Sequence, residues 1–267
     1  MNRYERTFIE CKKTGSTAFV AFAVAGDPYL SASEAILKTY VDAGADILEI
    51  GYPFSDPIAD GPVNQRAAQR AIEAGFTPAQ FFKIIASVRA YTDVPIGVLM
   101  YANSAHHLGY DTFCKRASQA GVDSILVADM PPEEADEMLS AIDKYNMQSV
   151  FIVSELTPPD RMQWICSQVT GFVYVVSRLG STGVQTTMDN HFAATLTSLR
   201  EITDKPLCVG FGISTPEHVK NVRLAGADGA IVGSALVKLI ESNEYNPEKM
   251  LTALDKSVRA FKKAARG

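Results

Sequence analysis

The chain has 267 residues, of which 47% are hydrophobic and 21% charged, enough apolar material for a sizeable core in one large or two small domains. Its 18 glycines and 13 prolines are scattered, which excludes a disordered or collagen-like chain. The formal charge of −5 argues against nucleic acid as the main partner, because gripping phosphates over a large face needs a basic stripe.

No apolar run reaches the roughly 20 residues of a membrane helix. Met1-Asn2-Arg3-Tyr4-Glu5-Arg6 leads into Glu10, Lys12 and Lys13 without the apolar stretch of an export signal, so a cytoplasmic location is expected. Cys11, Cys114, Cys166 and Cys208 lie far apart with no C-x-x-C, and Cys166 and Cys208 read as buried thiols. His106 and His107 are adjacent, while His191 and His218 stand alone, so no metal site is expected.

In chain order, apolar runs read as strands at Ala18–Val24, Ile47–Tyr52, Pro95–Tyr101, Ser124–Asp129, Ser149–Ser154, Phe172–Ser177, Pro206–Phe211 and Gly229–Gly233. They scarcely alternate with polar residues, the pattern of strands covered on both faces. Helical periodicity lies between or after them at Ser33–Val41, Pro78–Tyr91, Asp111–Ala120, Pro132–Tyr145, Arg161–Val169, Pro216–Leu224 and Pro247–Ala264. This alternation predicts a parallel sheet with helices packed outside it.

One phrase recurs. Ala43-Gly44-Ala45-Asp46, Ala120-Gly121-Val122-Asp123 and Ala225-Gly226-Ala227-Asp228 each close a helix and open a strand, with glycine at the left-handed position after the helix. Repeated βα units, about eight in about 250 residues, match the size of a (β/α)8 TIM barrel. A doubly wound open sheet would carry G-x-G-x-x-G after the first strand; the turn here is Ala25-Gly26-Asp27-Pro28. The expected fold is a single α/β domain over residues 1–267, a (β/α)8 barrel with extra helices.

In such barrels chemistry sits at the carboxyl ends of the strands. Glu49 lies among aliphatic neighbours in the second strand. Pointing inward, it is a buried acid that tends to keep its proton; pointing outward, it pairs with a helix cation. The loop Tyr52-Pro53-Phe54-Ser55-Asp56-Pro57-Ile58-Ala59-Asp60-Gly61-Pro62 is stiffened by three prolines and carries two acids. Glu49 with Asp56 or Asp60 would give two carboxylates with separate acid and base tasks.

Two glycine-rich turns, Gly210-Phe211-Gly212-Ile213 and Gly233-Ser234-Ala235-Leu236, precede helices at adjacent strand ends, a common phosphate-binding arrangement. The first runs into Ser214-Thr215-Pro216-Glu217, a capping-box pattern. After the sixth strand, Ser177-Arg178-Leu179-Gly180-Ser181-Thr182-Gly183-Val184-Gln185 is small and polar, as a lid would be.

These segments resemble the tryptophan synthase alpha family over nearly the whole chain. The most specific match is Leu48-Glu49-Ile50-Gly51-Tyr52-Pro53-Phe54-Ser55-Asp56-Pro57-Ile58-Ala59-Asp60-Gly61-Pro62; Ala25-Gly26-Asp27-Pro28, Met100-Tyr101-Ala102-Asn103, Val122 to Pro131, Gly210 to Ile213 and Gly229 to Ser234 support it. The resemblance implies retro-aldol cleavage of indole-3-glycerol phosphate to indole and glyceraldehyde 3-phosphate. Glu49 would transfer protons and Asp60 would bond the indole N–H. It also implies an indole pocket of Phe22, Leu99, Tyr101, Leu126, Ala128, Ile152, Tyr174, Phe211 and Ile231, with Thr182 positioning Asp60. Gly183, Gly212, Gly233 and Ser234 would take the phosphate.

The resemblance further implies no metal or cofactor in this chain. Pyridoxal phosphate would belong to a partner beta subunit in an αββα assembly, with candidate contacts around Asp56, Asn103 and Met130-Pro131-Pro132. Two positions depart from the family pattern: Ser181 replaces a valine in the sixth loop, and Ala23-Val24 stands where a threonine usually precedes the Ala-Gly-Asp-Pro turn.

Overall fold

A computed structural model describes residues 1–176 and 185–266, the side chains of residues 185–192 excepted. The apolar runs form parallel strands β1 (Ala18–Val24), β2 (Ile47–Gly51), β3 (Ile96–Met100), β4 (Ser124–Val127), β5 (Gln148–Ser149), β6 (Phe151–Ser154), β7 (Val173–Val176), β8 (Leu207–Gly210) and β9 (Gly229–Val232). The order in the sheet is β5-β4-β3-β2-β1-β9-β8-β7-β6. Its two ends, β5 and β6, are consecutive pieces of the run expected as one fifth strand. Val150 separates them and donates its N–H to the Ile125 carbonyl. The first piece pairs with β4 and the second with β7, so the sheet closes on itself as a (β/α)8 barrel.

The helices are α1 (Arg3–Lys13), α2 (Leu30–Asp42), α3 (Pro62–Glu73), α4 (Pro78–Tyr91), α5 (Ala102–Leu108), α6 (Tyr110–Ala120), α7 (Asp136–Lys144), α8 (Pro159–Gln168), α9 (Gln185–Ile202), α10 (Pro216–Leu224), α11 (Ser234–Glu241) and α12 (Pro247–Arg266). The helix expected over Pro132–Tyr145 is divided: a 3-10 turn at Pro132–Glu134 precedes α7. The capping box expected from Ser214 does not form, because the helix starts one residue later. Thr215 is the N-cap of α10 and accepts the His218 N–H, while Glu217 pairs with Lys220.

The recurrent joint has a second physical role besides its glycine turn. Gly44, Gly121 and Gly226 all have positive φ (100°, 98° and 85°), a backbone that side chains with a Cβ resist. The aspartates that follow reach back to the start of the preceding strand. Asp46 Oδ2 accepts the Phe19 N–H at 2.7 Å, Asp123 Oδ2 the Ile96 N–H at 2.8 Å, and Asp228 Oδ2 the Leu207 N–H at 2.7 Å. Each carboxylate thereby ties two neighbouring strand starts together and satisfies an amide the ladder leaves unpaired.

Alternate strand residues divide into two apolar layers. Phe19, Leu48, Ile50, Val98, Val153 and Val209 face the helices. Val20, Ile47, Leu126, Val150, Tyr174, Cys208 and Ile231 fill the barrel. At the strands' amino ends α1 covers the interior: Tyr4 bonds Ser124 Oγ over 2.7 Å, and its ring packs against Phe8 and Phe172. That end is occupied, so the opening lies at the carboxyl ends.

Candidate active site

Within β2, the period-2 alternation sends Leu48 and Ile50 outward into the helical layer and Glu49 inward. Glu49 is in register with Phe22 of β1 and Gly97 of β3. The residue is only 4% exposed. Burial, and secondarily the charge of Asp60, push its carboxyl from 4.5 up to about 8, because an ionised acid loses water that the apolar wall does not replace. At neutral pH this acid holds its proton.

The loop after β2 is anchored at its apolar residues. Tyr52 packs edge-on against Phe76 and beside Phe81, and Phe54 stacks on Tyr101 at 5.3 Å between ring centres. The two candidate acids part company here. Asp56 is exposed and accepts the Ser55 hydroxyl at 2.5 Å, whereas Asp60 lines the same cavity as Glu49.

Asp60 is held from three directions. Tyr101, immediately after β3, donates its phenol O–H to Oδ2 at 2.8 Å, while the Ala59 N–H donates to that phenol oxygen at 3.1 Å. The first turn of α3 supplies two amides: Asn64 Nδ2 donates to Asp60 Oδ1 at 3.3 Å, and Gln65 Nε2 to the Asp60 carbonyl at 2.9 Å. Burial first, and then Asp60, drive the Tyr101 phenol above its ordinary range, so it remains a donor.

The cavity measures about 310 Å³, of the size that small-molecule sites occupy. Of the residues expected there, Phe22, Leu99, Tyr101, Ala128, Ile152, Tyr174, Phe211 and Ile231 line it, as do Gly212, Gly233 and Ser234. Leu126 does not; it is packed in the barrel's interior layer with Val150 and Tyr174. Thr182 and Gly183 lie outside the described residues. Ala59, Gly61, Asn64, Val176 and Ile213 also line the cavity. Val176 could have been found from its period-2 spacing to Tyr174; the others have no such periodic signal.

The two glycine turns differ in purpose. A Cβ on Gly210 would stand 2.3 Å from Tyr174 Oη, so this glycine exists to clear the tyrosine ring. Phe211 and Gly212 then both adopt positive φ (76° and 75°), an uncommon state for phenylalanine that costs on the order of 1–3 kcal/mol. Phe211 stands 54% exposed at the mouth.

Gly233 is the N-cap of α11 and offers no side-chain cap. Its carbonyl accepts from Leu236 and Val237, and the first amides of the helix are left for a ligand. That helix end is suited to an anion.

Behind the site an ion network joins α3 to α11. Arg70 meets buried Asp27 at 2.7 Å and Glu241 at 2.9 Å, and Arg66 meets Glu241 at 2.6 Å. Burial raises Asp27 to about 6 despite the opposing Arg70. Among the described residues no group of three or more His, Cys, Asp or Glu could hold a metal ion, and no helix is long and apolar enough to cross a membrane.

A buried acid raised to about 8 and a second carboxylate share an apolar cavity at the carboxyl end of the barrel, beside a helix amino end suited to an anion, which is the arrangement of a barrel enzyme equipped for acid–base chemistry. Comparison with known proteins narrows the class. The family model described as tryptophan synthase alpha chain matches residues 8–266. The tryptophan synthase alpha chain of Methanoregula boonei is 48% identical over 265 residues, covering 99% of both chains. The solved tryptophan synthase subunit alpha of Legionella pneumophila superposes with a TM-score of 0.90 at 31% identity, covering 99% of this chain and 98% of that one. A chain of Mycobacterium tuberculosis tryptophan synthase in its aminoacrylate-bound form gives 0.89 at 25% identity, over 99% of this chain and all of the other. This chain belongs to the tryptophan synthase alpha chain family, the lyase subunits that cleave indole-3-glycerol phosphate.

Proposed function

We propose that Glu49 and Asp60 divide the work of cleaving indole-3-glycerol phosphate in this chain. The supporting observation is the pairing of an acid raised to about 8 with a second, hydrogen-bonded carboxylate on one apolar cavity. Protonated Glu49 gives its proton to carbon 3 of the indole, and the ring becomes cationic. Asp60 accepts the indole N–H and stabilises that charge as it develops. The Glu49 carboxylate then takes the proton of the hydroxyl on the adjoining carbon. That O–H pair becomes the aldehyde C=O, the carbon–carbon bond breaks, and its electrons return to the ring. Indole and glyceraldehyde 3-phosphate leave, and Glu49 ends as it began, protonated. General acid–base work of this kind contributes about 10²–10⁴-fold.

Phe22, Leu99, Ala128, Ile152, Tyr174 and Ile231 hold the flat ring by apolar contact. The amides at Gly212, Gly233 and Ser234 take the phosphate, with the α11 dipole favouring its charge. These steps use side chains and backbone only, with no cofactor in this chain. Indole passes to the beta subunit of tryptophan synthase, where pyridoxal phosphate serves the second reaction. Exposed Asp56, on the loop that follows β2, and exposed Asn103, in the first turn of α5, are the residues we assign to the beta-facing rim.

The test is release of indole and glyceraldehyde 3-phosphate from indole-3-glycerol phosphate by the purified chain, alone and with the beta subunit. Equimolar release of both products is the expected result; no indole in either condition would refute the assignment.

A further inference from the structure

The Asn64 amide is poorly explained by packing alone. It stands in the first turn of α3, on the cavity wall, with Nδ2 directed at Asp60 Oδ1 over 3.3 Å. Its other end, Oδ1, is buried without a hydrogen-bond partner among the described residues. Turning the amide over would bring Oδ1 against the Asp60 carboxylate, oxygen to oxygen, which is worse. A leucine would fill comparable space with no polar atom to strand, and a stranded buried acceptor carries a real cost. Among the described residues, Asp60 is the partner that this amide serves.

We propose that Asn64 is a positioning residue that sets the selectivity of this site for a ring bearing an N–H. Tyr101 holds Oδ2 of Asp60 and Asn64 holds Oδ1, one from the end of β3 and the other from α3. Two donors on different oxygens fix the plane of the carboxylate as well as its position. A carboxylate with one oxygen released can turn about its own bond and loses the direction in which it meets a donor. The 3.3 Å separation is long, as such bonds often are before ligand binds. Asn64 thus acts through Asp60 and bears on the ring N–H that Asp60 receives.

The inference rests on Asp60 receiving the ring N–H, and the test separates the two claims. Two non-cleavable probes are compared by titration calorimetry: an indole-3-alkyl phosphate, and its benzofuran counterpart, in which a ring oxygen replaces the N–H. Wild-type protein should bind the indole probe more tightly, and Asn64→Leu should reduce that preference by about fivefold to tenfold. Most of the loss should fall on the indole probe, and the thermal midpoint should stay or rise because a stranded acceptor is gone. Asn64→Ser, smaller and unable to clash, should show the same reduced preference. An unchanged indole-to-benzofuran ratio in both variants would overturn the role of Asn64. Equal binding of the two probes by wild-type protein would instead overturn the role given to Asp60.

Discussion

Tyr101 donates its phenol proton to Oδ2 of Asp60 over 2.8 Å, joining the end of β3 to the loop that follows β2. A hydrogen bond to a charged acceptor contributes about 1.5–3 kcal/mol, and here it holds the carboxylate beside the cavity. Tyr101→Phe keeps the ring and its stacking on Phe54 while deleting that bond. Its kcat/KM for indole-3-glycerol phosphate should fall by about 10- to 100-fold, and the thermal midpoint should fall by several degrees. Steady-state kinetics beside a melting curve would check this; an unaltered kcat/KM would remove Tyr101 from the site's machinery.

The role proposed for Glu49 requires that it carry a proton at the start. With Glu49 raised to about 8 by burial and the neighbouring Asp60 charge, the competent form is lost as pH climbs past that value. The kcat/KM profile should therefore fall on its alkaline side near pH 8, approaching tenfold per pH unit. In Glu49→Gln the residual rate should lose this limb. A flat profile from pH 7 to 9.5 in the wild-type protein would contradict the protonated starting state.

Glu49 should also make the fold less stable in alkali. Its folded value of about 8 lies above the ordinary 4.5, so between those pH values the folded chain binds more protons than the unfolded one. Stability from this group is present in full below about 4.5 and declines as pH rises toward 8. Glu49→Gln cannot ionise there. It should match the wild-type protein near pH 4.5 and exceed it at pH 9, on the order of a few kcal/mol. Denaturant unfolding of both proteins at the two pH values measures the difference.

Gly210 tests the packing beneath the cavity. An added methyl group would stand 2.3 Å from Tyr174 Oη and 2.5 Å from its Cζ, too close for either group to remain. Gly210→Ala should displace the Tyr174 ring into the cavity, lower stability by about 1–3 kcal/mol and raise KM. Unfolding curves and KM values that both match the wild-type protein would show that the ring has room to move.

Most of the barrel was legible because its causes are local. Eight apolar runs without alternation demanded a sheet covered on both faces, and the three Ala-Gly-x-Asp joints marked where helices turn back into strands. Asp46, Asp123 and Asp228 were visible as residues but not as ties between strand starts, because their Phe19, Ile96 and Leu207 partners are about 20 to 30 residues away. The division of the fifth strand at Val150 is similar: it arises where the barrel closes, a long-range event without a local signal. In the site, Glu49 was singled out by its apolar neighbours, and the choice between Asp56 and Asp60 needed Tyr101, which lies 41 positions from Asp60. Leu126 looked like a cavity residue from family resemblance, but its depth in the barrel depends on the register of β4 with β3. Gly210 resembled part of a phosphate turn, and only the position of Tyr174 reveals what it clears.

The most direct test compares indole production by the wild-type protein and Glu49→Gln at saturating indole-3-glycerol phosphate, with binding of a non-cleavable indole-3-alkyl phosphate measured on both. Glutamine preserves the shape of the side chain and cannot cycle a proton. Turnover should drop by about 10³-fold or more while the probe's dissociation constant stays within about threefold, less than 1 kcal/mol. Turnover by Glu49→Gln near the wild-type rate would mean that the buried acid of β2 is not the group that moves the protons.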